Sequence, residues 1–186
     1  MTPIHVPPVS CEGCCSSGGG GQDLSEIVTA RLNSVIGSVA SGTVITAAAY
    51  NWTTEPGFGG GAAATFDAVN KRVEAAVDGR YRVTWSVYQD ADSTLASTRI
   101  QHGISVTKNG VTQIGYGQAT SQNNASSSEV TEVFTGSRII DMDAGDDVRI
   151  SVSVSATGTT DVDVNPAAGP AGTFVQLEYL GPTPAP

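Results

Sequence analysis

Cys11, Cys14 and Cys15 are the only thiols in the chain, packed into one short run. A C-x-x-C-C run supplies part of a zinc site, which needs four ligands. No second C-x-x-C exists, and His5 is the nearby candidate for a fourth ligand. An odd number of thiols cannot all pair within one chain. They stay free, or they cross-link to another copy or a partner, and such bonds persist in oxidising surroundings. Cys11, Cys14 and Cys15 are therefore candidates for inter-chain or partner disulfides, and no metal or cofactor is expected.

Carboxylates cluster twice. Asp141, Asp143, Asp146 and Asp147 lie in DMDAGDD, and Asp161 and Asp163 lie in DVDVN. Calcium takes about six to eight oxygens, and such turns can offer several. Gly145 stands where an EF-hand-like run would need its third acidic ligand, so solvated turns are expected. His102 is in register with Ile100, Ile104 and Val106, which predicts an imidazole in the core or at a subunit interface, with a pH-sensitive interface as the minority reading. Neither G-x-S-x-G nor H-E-x-x-H occurs, and the two histidines and scattered serines form no nucleophile arrangement. No enzymatic activity is expected.

The elements that position these groups follow from periodicity. In RYRVTWSVY, Tyr81, Val83, Trp85 and Val87 alternate with Arg80, Arg82, Thr84 and Ser86. In DDVRISVSVS, Val148, Ile150, Val152 and Val154 alternate with Arg149, Ser151, Ser153 and Ser155. A period of two means strands with one buried and one exposed face, so these eight apolar residues are the predicted core. Asn109-Gly110 between ISVT and VTQIGYG is a strong hairpin signal. TVITAAAYNWT suits a first strand, EPGFGGGAAAT a loop, and TFVQLEYL the last strand.

The N-terminal part has a different character. Residues 1–22 hold three prolines, the cysteines and the run Gly18 to Gly21, an irregular arm. In residues 23–42, Asp23 and Glu26 resemble a capping box, and Val28, Leu32, Val35 and Val39 follow at heptad-like spacing. This predicts a short helical stalk with those four residues as a trimer seam; the alternative is an amphipathic helix packed on its own domain. Residues 43–181 then form the β domain, and residues 182–186 a Pro-rich tail.

Composition bounds the function. The 186 residues carry a formal charge of −9, and only 15% of them are charged. An acidic chain whose only lysines are Lys71 and Lys108 is a poor electrostatic match for nucleic acid. No apolar run approaches the ~20 residues of a membrane span, and MTPIHVPPVS lacks the pattern of a signal peptide.

Phe66 ahead of a strand, then DGRYRVTWSV, ISVTKNG, DAGDDVRISVSV and TFVQLEYL, in that order, resembles the C1q/TNF-like jelly-roll family over residues 43–181. Gly79 and Tyr81 match its Gly-x-Tyr, Asn109 and Gly110 its hairpin, Ala144, Gly145 and Asp146 the turn before its long strand, and Phe174 the aromatic near the start of its final strand. The resemblance implies an all-β jelly-roll sandwich that assembles as a homotrimer. The small-residue richness and the tether before a trimeric head further resemble tailed-bacteriophage decoration proteins and head fibres. On this reading the protein is a structural virion component on the outer capsid surface, held to the major capsid protein by its arm. The alternative is a receptor- or glycan-binding tail-fibre tip. Loops 89–98 and 119–129 would then meet a host-surface glycan.

Overall fold

The computed structural model describes residues 26–93, 99–122, 128–156, 160–166 and 172–184. Eleven strands run through them: β1 (Ile27–Leu32), β2 (Trp52–Gly59), β3 (Ala64–Asp67), β4 (Arg72–Ala75), β5 (Gly79–Ser93), β6 (Arg99–Lys108), β7 (Thr112–Gln122), β8 (Ser128–Met142), β9 (Val148–Ala156), β10 (Thr160–Asn165) and β11 (Phe174–Gly181). The fold is the expected all-β jelly-roll sandwich, and no helix occurs among the described residues.

One sheet is built on the long strand β5. Its first half pairs with β11, which continues to β1 and β2; its second half pairs with β10; its other edge pairs with β8 along the whole length. The second sheet runs β7-β6-β9, and β3-β4 forms a separate hairpin. Tyr81, Val83, Trp85 and Val87 from β5 face Val148, Ile150 and Val152 from β9 across one apolar core, and Val154 is half-buried at its edge. The Asn109-Gly110 turn joins β6 to β7 with positive φ at both residues, which suits the right-handed twist of a hairpin.

The helical stalk is corrected. Residues 27–32 are a strand, paired on one edge with β11 and on the other with β2. Val28 and Leu32 stand four apart, a spacing that a strand of period two satisfies as well as a helix. Both point into this chain's own core, Val39 is buried too, and Val35 is 52% exposed. The four residues therefore form no common stripe. A strand covered on both faces reads as a continuous apolar run, and IVTARL is buried on nearly every residue. The sandwich thus begins at Ile27, ahead of the expected boundary at residue 43.

Residues 43–51 also depart from the predicted first strand. Ile36 and Val39 pair with the β10 edge, and Gly42, Thr43, Val44 and Ile45 with the β9 edge. This strap joins the two sheets. Trp52 is fully buried at the start of β2, and its indole N–H donates to the Ile45 carbonyl at 2.7 Å, anchoring the end of the strap. The predicted loop over EPGFGGG is an extension of β2 as far as Gly59, bulging between Thr54 and Gly59. An edge strand accommodates Pro56 and the positive φ of Gly57, which an inner strand would not.

Candidate functional sites

Three places in the molecule concentrate polar chemistry: a charged clasp at the base, a buried imidazole between the sheets, and the outer face of the large sheet.

The clasp holds the acidic turn. Asp146 accepts from Lys108 Nζ at 2.8 Å, from Asn109 Nδ2 at 2.5 Å and from the Asp143 N–H at 2.8 Å. Burial opposes ionisation of Asp146, but these three donors outweigh it and hold its carboxyl below the ordinary range. Asp147, which is buried, accepts from Arg72 Nη1 at 2.5 Å and from Arg149 Nε at 3.0 Å. The backbones of Asn109 and Asp147 are bonded as well, through the Asn109 N–H and the Asn109 side-chain oxygen. The acidic turn, expected to be solvated, is at Asp146 and Asp147 an ion-pair knot tying the β6–β7 hairpin to β4 and β9. Its two central carboxylates are already matched by protein cations. Asp141 and Asp143 are exposed. Asp163 lies elsewhere, on β10, and accepts from the Ser38 N–H of the strap. Among the described residues no group of three potential ligands is placed to hold a metal ion.

His102 is fully buried. Its Nδ1 lies 3.0 Å from Gln89 Oε1, while Gln89 Nε2 donates to the Gly103 carbonyl at 3.2 Å. The amide orientation leaves Nδ1 as the donor, so Nε2 is unprotonated in the neutral ring and has no hydrogen-bond partner. Phe134 meets the ring edge-on at 5.7 Å. Burial lowers the imidazole pKa, and the Glu132 carboxylate acts in the opposite sense.

Below His102 lies the seam where β7 and β8, the free edges of the two sheets, meet. Its geometry rests on glycine. A Cβ at Gly115 would come within 2.4 Å of the Trp85 indole, and one at Gly136 within 2.3 Å. At Gly117 a Cβ would come within 2.7 Å of Phe134. The inward side of β7 reads Gly115, Gly117, Ala119, and the rings of Trp85, Phe134 and His102 occupy the space left. Arg138 adds a bond from Nη1 to the Ile114 carbonyl at 3.4 Å. In the sequence, the only trace of this seam is the alternating small residues of IGYGQA.

The outer face of the large sheet is ordered in cross-strand rows. One row runs Ile27, Glu178, Arg82, Ile139; the next Thr29, Gln176, Thr84, Ser137; the next Arg31, Phe174, Ser86, Thr135. Arg82 Nη1 donates to Glu178 Oε2 at 2.8 Å, and the Arg31 guanidinium lies 5.1 Å over the Phe174 ring. On β8 this face leaves Val133 39% and Ile139 51% exposed. Tyr50 packs against the core, and Tyr116 stands exposed on β7. Cys11, Cys14, Cys15, His5 and the arm lie outside the described residues, as do parts of loops 89–98 and 119–129.

No family model matches the sequence, and no curated protein matches it. Among solved structures, Eiger TNF from S. frugiperda superposes with a TM-score of 0.56 over 86% of this chain and 95% of that one, at 14% identity. At that identity the likeness defines the class of fold, a TNF-like jelly roll.

Proposed function

We propose that this chain is the head of a homotrimeric structural protein, a decoration or head-fibre protein bound to the outside of a phage capsid through its N-terminal arm. The observation that most supports a trimer is the outer face of β8 on a TNF-like sandwich, where Ile139 lies exposed beside Arg82 of the Arg82–Glu178 pair and Val133 lies exposed opposite Tyr88. Packing that face against neighbouring copies would bury both aliphatic groups. The low charge of the chain fits a surface that copies cover. The capsid setting rests on the sequence of the arm: residues 1–22 are rich in Cys and Gly and precede the first strand. Three tethers on one trimer would bind three neighbouring sites at high effective concentration.

The mass in solution tests the trimer. Light scattering should give three times the 18.9 kDa of the chain; a monomer would defeat the proposal. Deleting residues 1–22 should leave a folded trimer that no longer decorates capsids. Truncated heads that still decorate shells fully would remove the arm from the mechanism. Binding on a glycan array, with no binding to capsids, would favour the tail-fibre reading instead.

A further inference from the structure

The buried imidazole sits where the sandwich is held together least by backbone. β7 bonds to β6 and β8 bonds to β5, and among the described residues no backbone hydrogen bond joins β7 to β8. The closure depends on rings seated against small residues. His102 is the upper ring of that column, and it contacts Phe134, which in turn rests on Gly117.

We propose that protonation of His102 unlatches the upper part of the β7–β8 seam, making this seam an acid-responsive opening in the head. A proton can add only at Nε2, because Nδ1 already carries one. Nε2 is buried with no acceptor to receive the new N–H. The added charge would therefore sit in an apolar slot without a hydrogen bond, a costly arrangement. Every neighbouring strand matters to this balance. β5 contributes Gln89, a neutral amide whose oxygen is already used; β7 and β9 place Ala119 and Val154 opposite His102 in register. β8 contributes Phe134 and, on the same face, Glu132, among the described residues the one charged group acting on the ring. Glu132 lies opposite Gln89 in the β5–β8 register.

Two routes relieve the buried charge: water enters, or the ring moves out towards Glu132. Both require Phe134 to leave Gly117, and that separates β7 from β8. Among the described residues the opposite side of the core holds no buried imidazole, and its closure by the strap is made mainly of backbone hydrogen bonds, which do not titrate.

The test is amide hydrogen exchange on the full chain at about pH 7.5 and about pH 5, corrected for intrinsic rates, across the ordinary imidazole range. Protection of Gly115–Thr120 and of Thr131–Gly136 should fall about fivefold or more, because the open form takes up the proton more readily than the closed one. Protection of β1 and β11 should stay constant. The imidazole NMR titration of His102 should have the same midpoint as the loss of protection. His102→Gln should abolish the pH response, and His5→Gln should keep it. Should His102→Gln fail to fold, Glu132→Gln provides the second reading: it should move the midpoint to lower pH. Unchanged seam protection in the wild type, the same loss in His102→Gln, or a midpoint unmoved by Glu132→Gln would overturn the proposal.

Discussion

Along the β9–β10 side, residues 36–45 cross from one sheet to the other. Ile36 exchanges backbone bonds with Val164, the Val39 N–H donates to Val162, and the Gly42 and Ile45 N–H groups donate to Val152 and Ile150. Along the β7–β8 side, three rings and a stripe of small residues perform the same closure with almost no hydrogen bonding. Backbone closure tolerates change in side chains, since each bond is made by atoms every residue has. Side-chain closure does not, since its fit is a matter of a methyl group. The strap side is thus held by bonds indifferent to side chains, and the seam side is the part of the sandwich most sensitive to substitution.

The contrast is sharpest under overpacking. Gly136→Val or Gly115→Val would drive a side chain into the Trp85 indole and should cost about 3 kcal/mol or more, and Trp85→Ala should cost about 3–5 kcal/mol. Denaturant unfolding measures both. A glycine variant with wild-type stability would show that the seam is looser than described here. On the strap, Ile45→Ala empties a fully buried site and should cost about 3 kcal/mol. Val44→Ala, at a half-buried position of the same strap, should cost less than about 1 kcal/mol, since its backbone bonding remains.

At the base, Asp147→Asn leaves Arg72 and Arg149 without their shared carboxylate. The loss should be about 2 kcal/mol, below the value for a fully buried pair because both arginines are partly exposed. Acid separates the base from the seam. Asp146 has its folded pKa lowered from an ordinary value of 3.8. Its contribution is fully present above the unfolded pKa and is lost as pH falls through the folded one. His102 also has its folded pKa lowered, but from 6.5 and as a base. The unfolded state then binds more protons, and stability begins to fall as pH drops through the unfolded value. A stability profile against pH should therefore fall in two windows, with His102→Gln removing the upper one and Lys108→Met weakening the lower. A single carboxylate-range transition in the wild type would refute the assignment of the seam to histidine.

The smallest effects on the monomer fold are expected at the outer face. Val133→Ser and Ile139→Ser should alter stability of the isolated fold by less than about 0.5 kcal/mol. The same changes should dissociate the proposed trimer in light scattering.

Some of this was legible before any coordinates. The strict alternation in β5 and β9 requires two half-buried strands, and the Asn109-Gly110 pair requires a tight hairpin; both follow from local sterics and the period of the pleat. His102 could be placed inside because it shares the parity of Ile104 and Val106. Three features could not be read. Val28 and Leu32 fit a helix and a strand alike, and only pairing with β11 and β2 selected the strand. Residues 43–45 have strand-forming composition, but their partner is the edge of β9, more than a hundred residues away. Gly115 and Gly136 are ordinary turn-formers to a local reading; their role needs Trp85 between them.

The sequence by itself determined which faces are apolar, where the chain turns, and that the domain is β-rich. These depend on neighbours along the chain. Tertiary structure decided how the sandwich is closed on its two sides, what the acidic turn binds, and what stands beside the buried imidazole. These depend on contacts between residues far apart in sequence, which no local periodicity encodes.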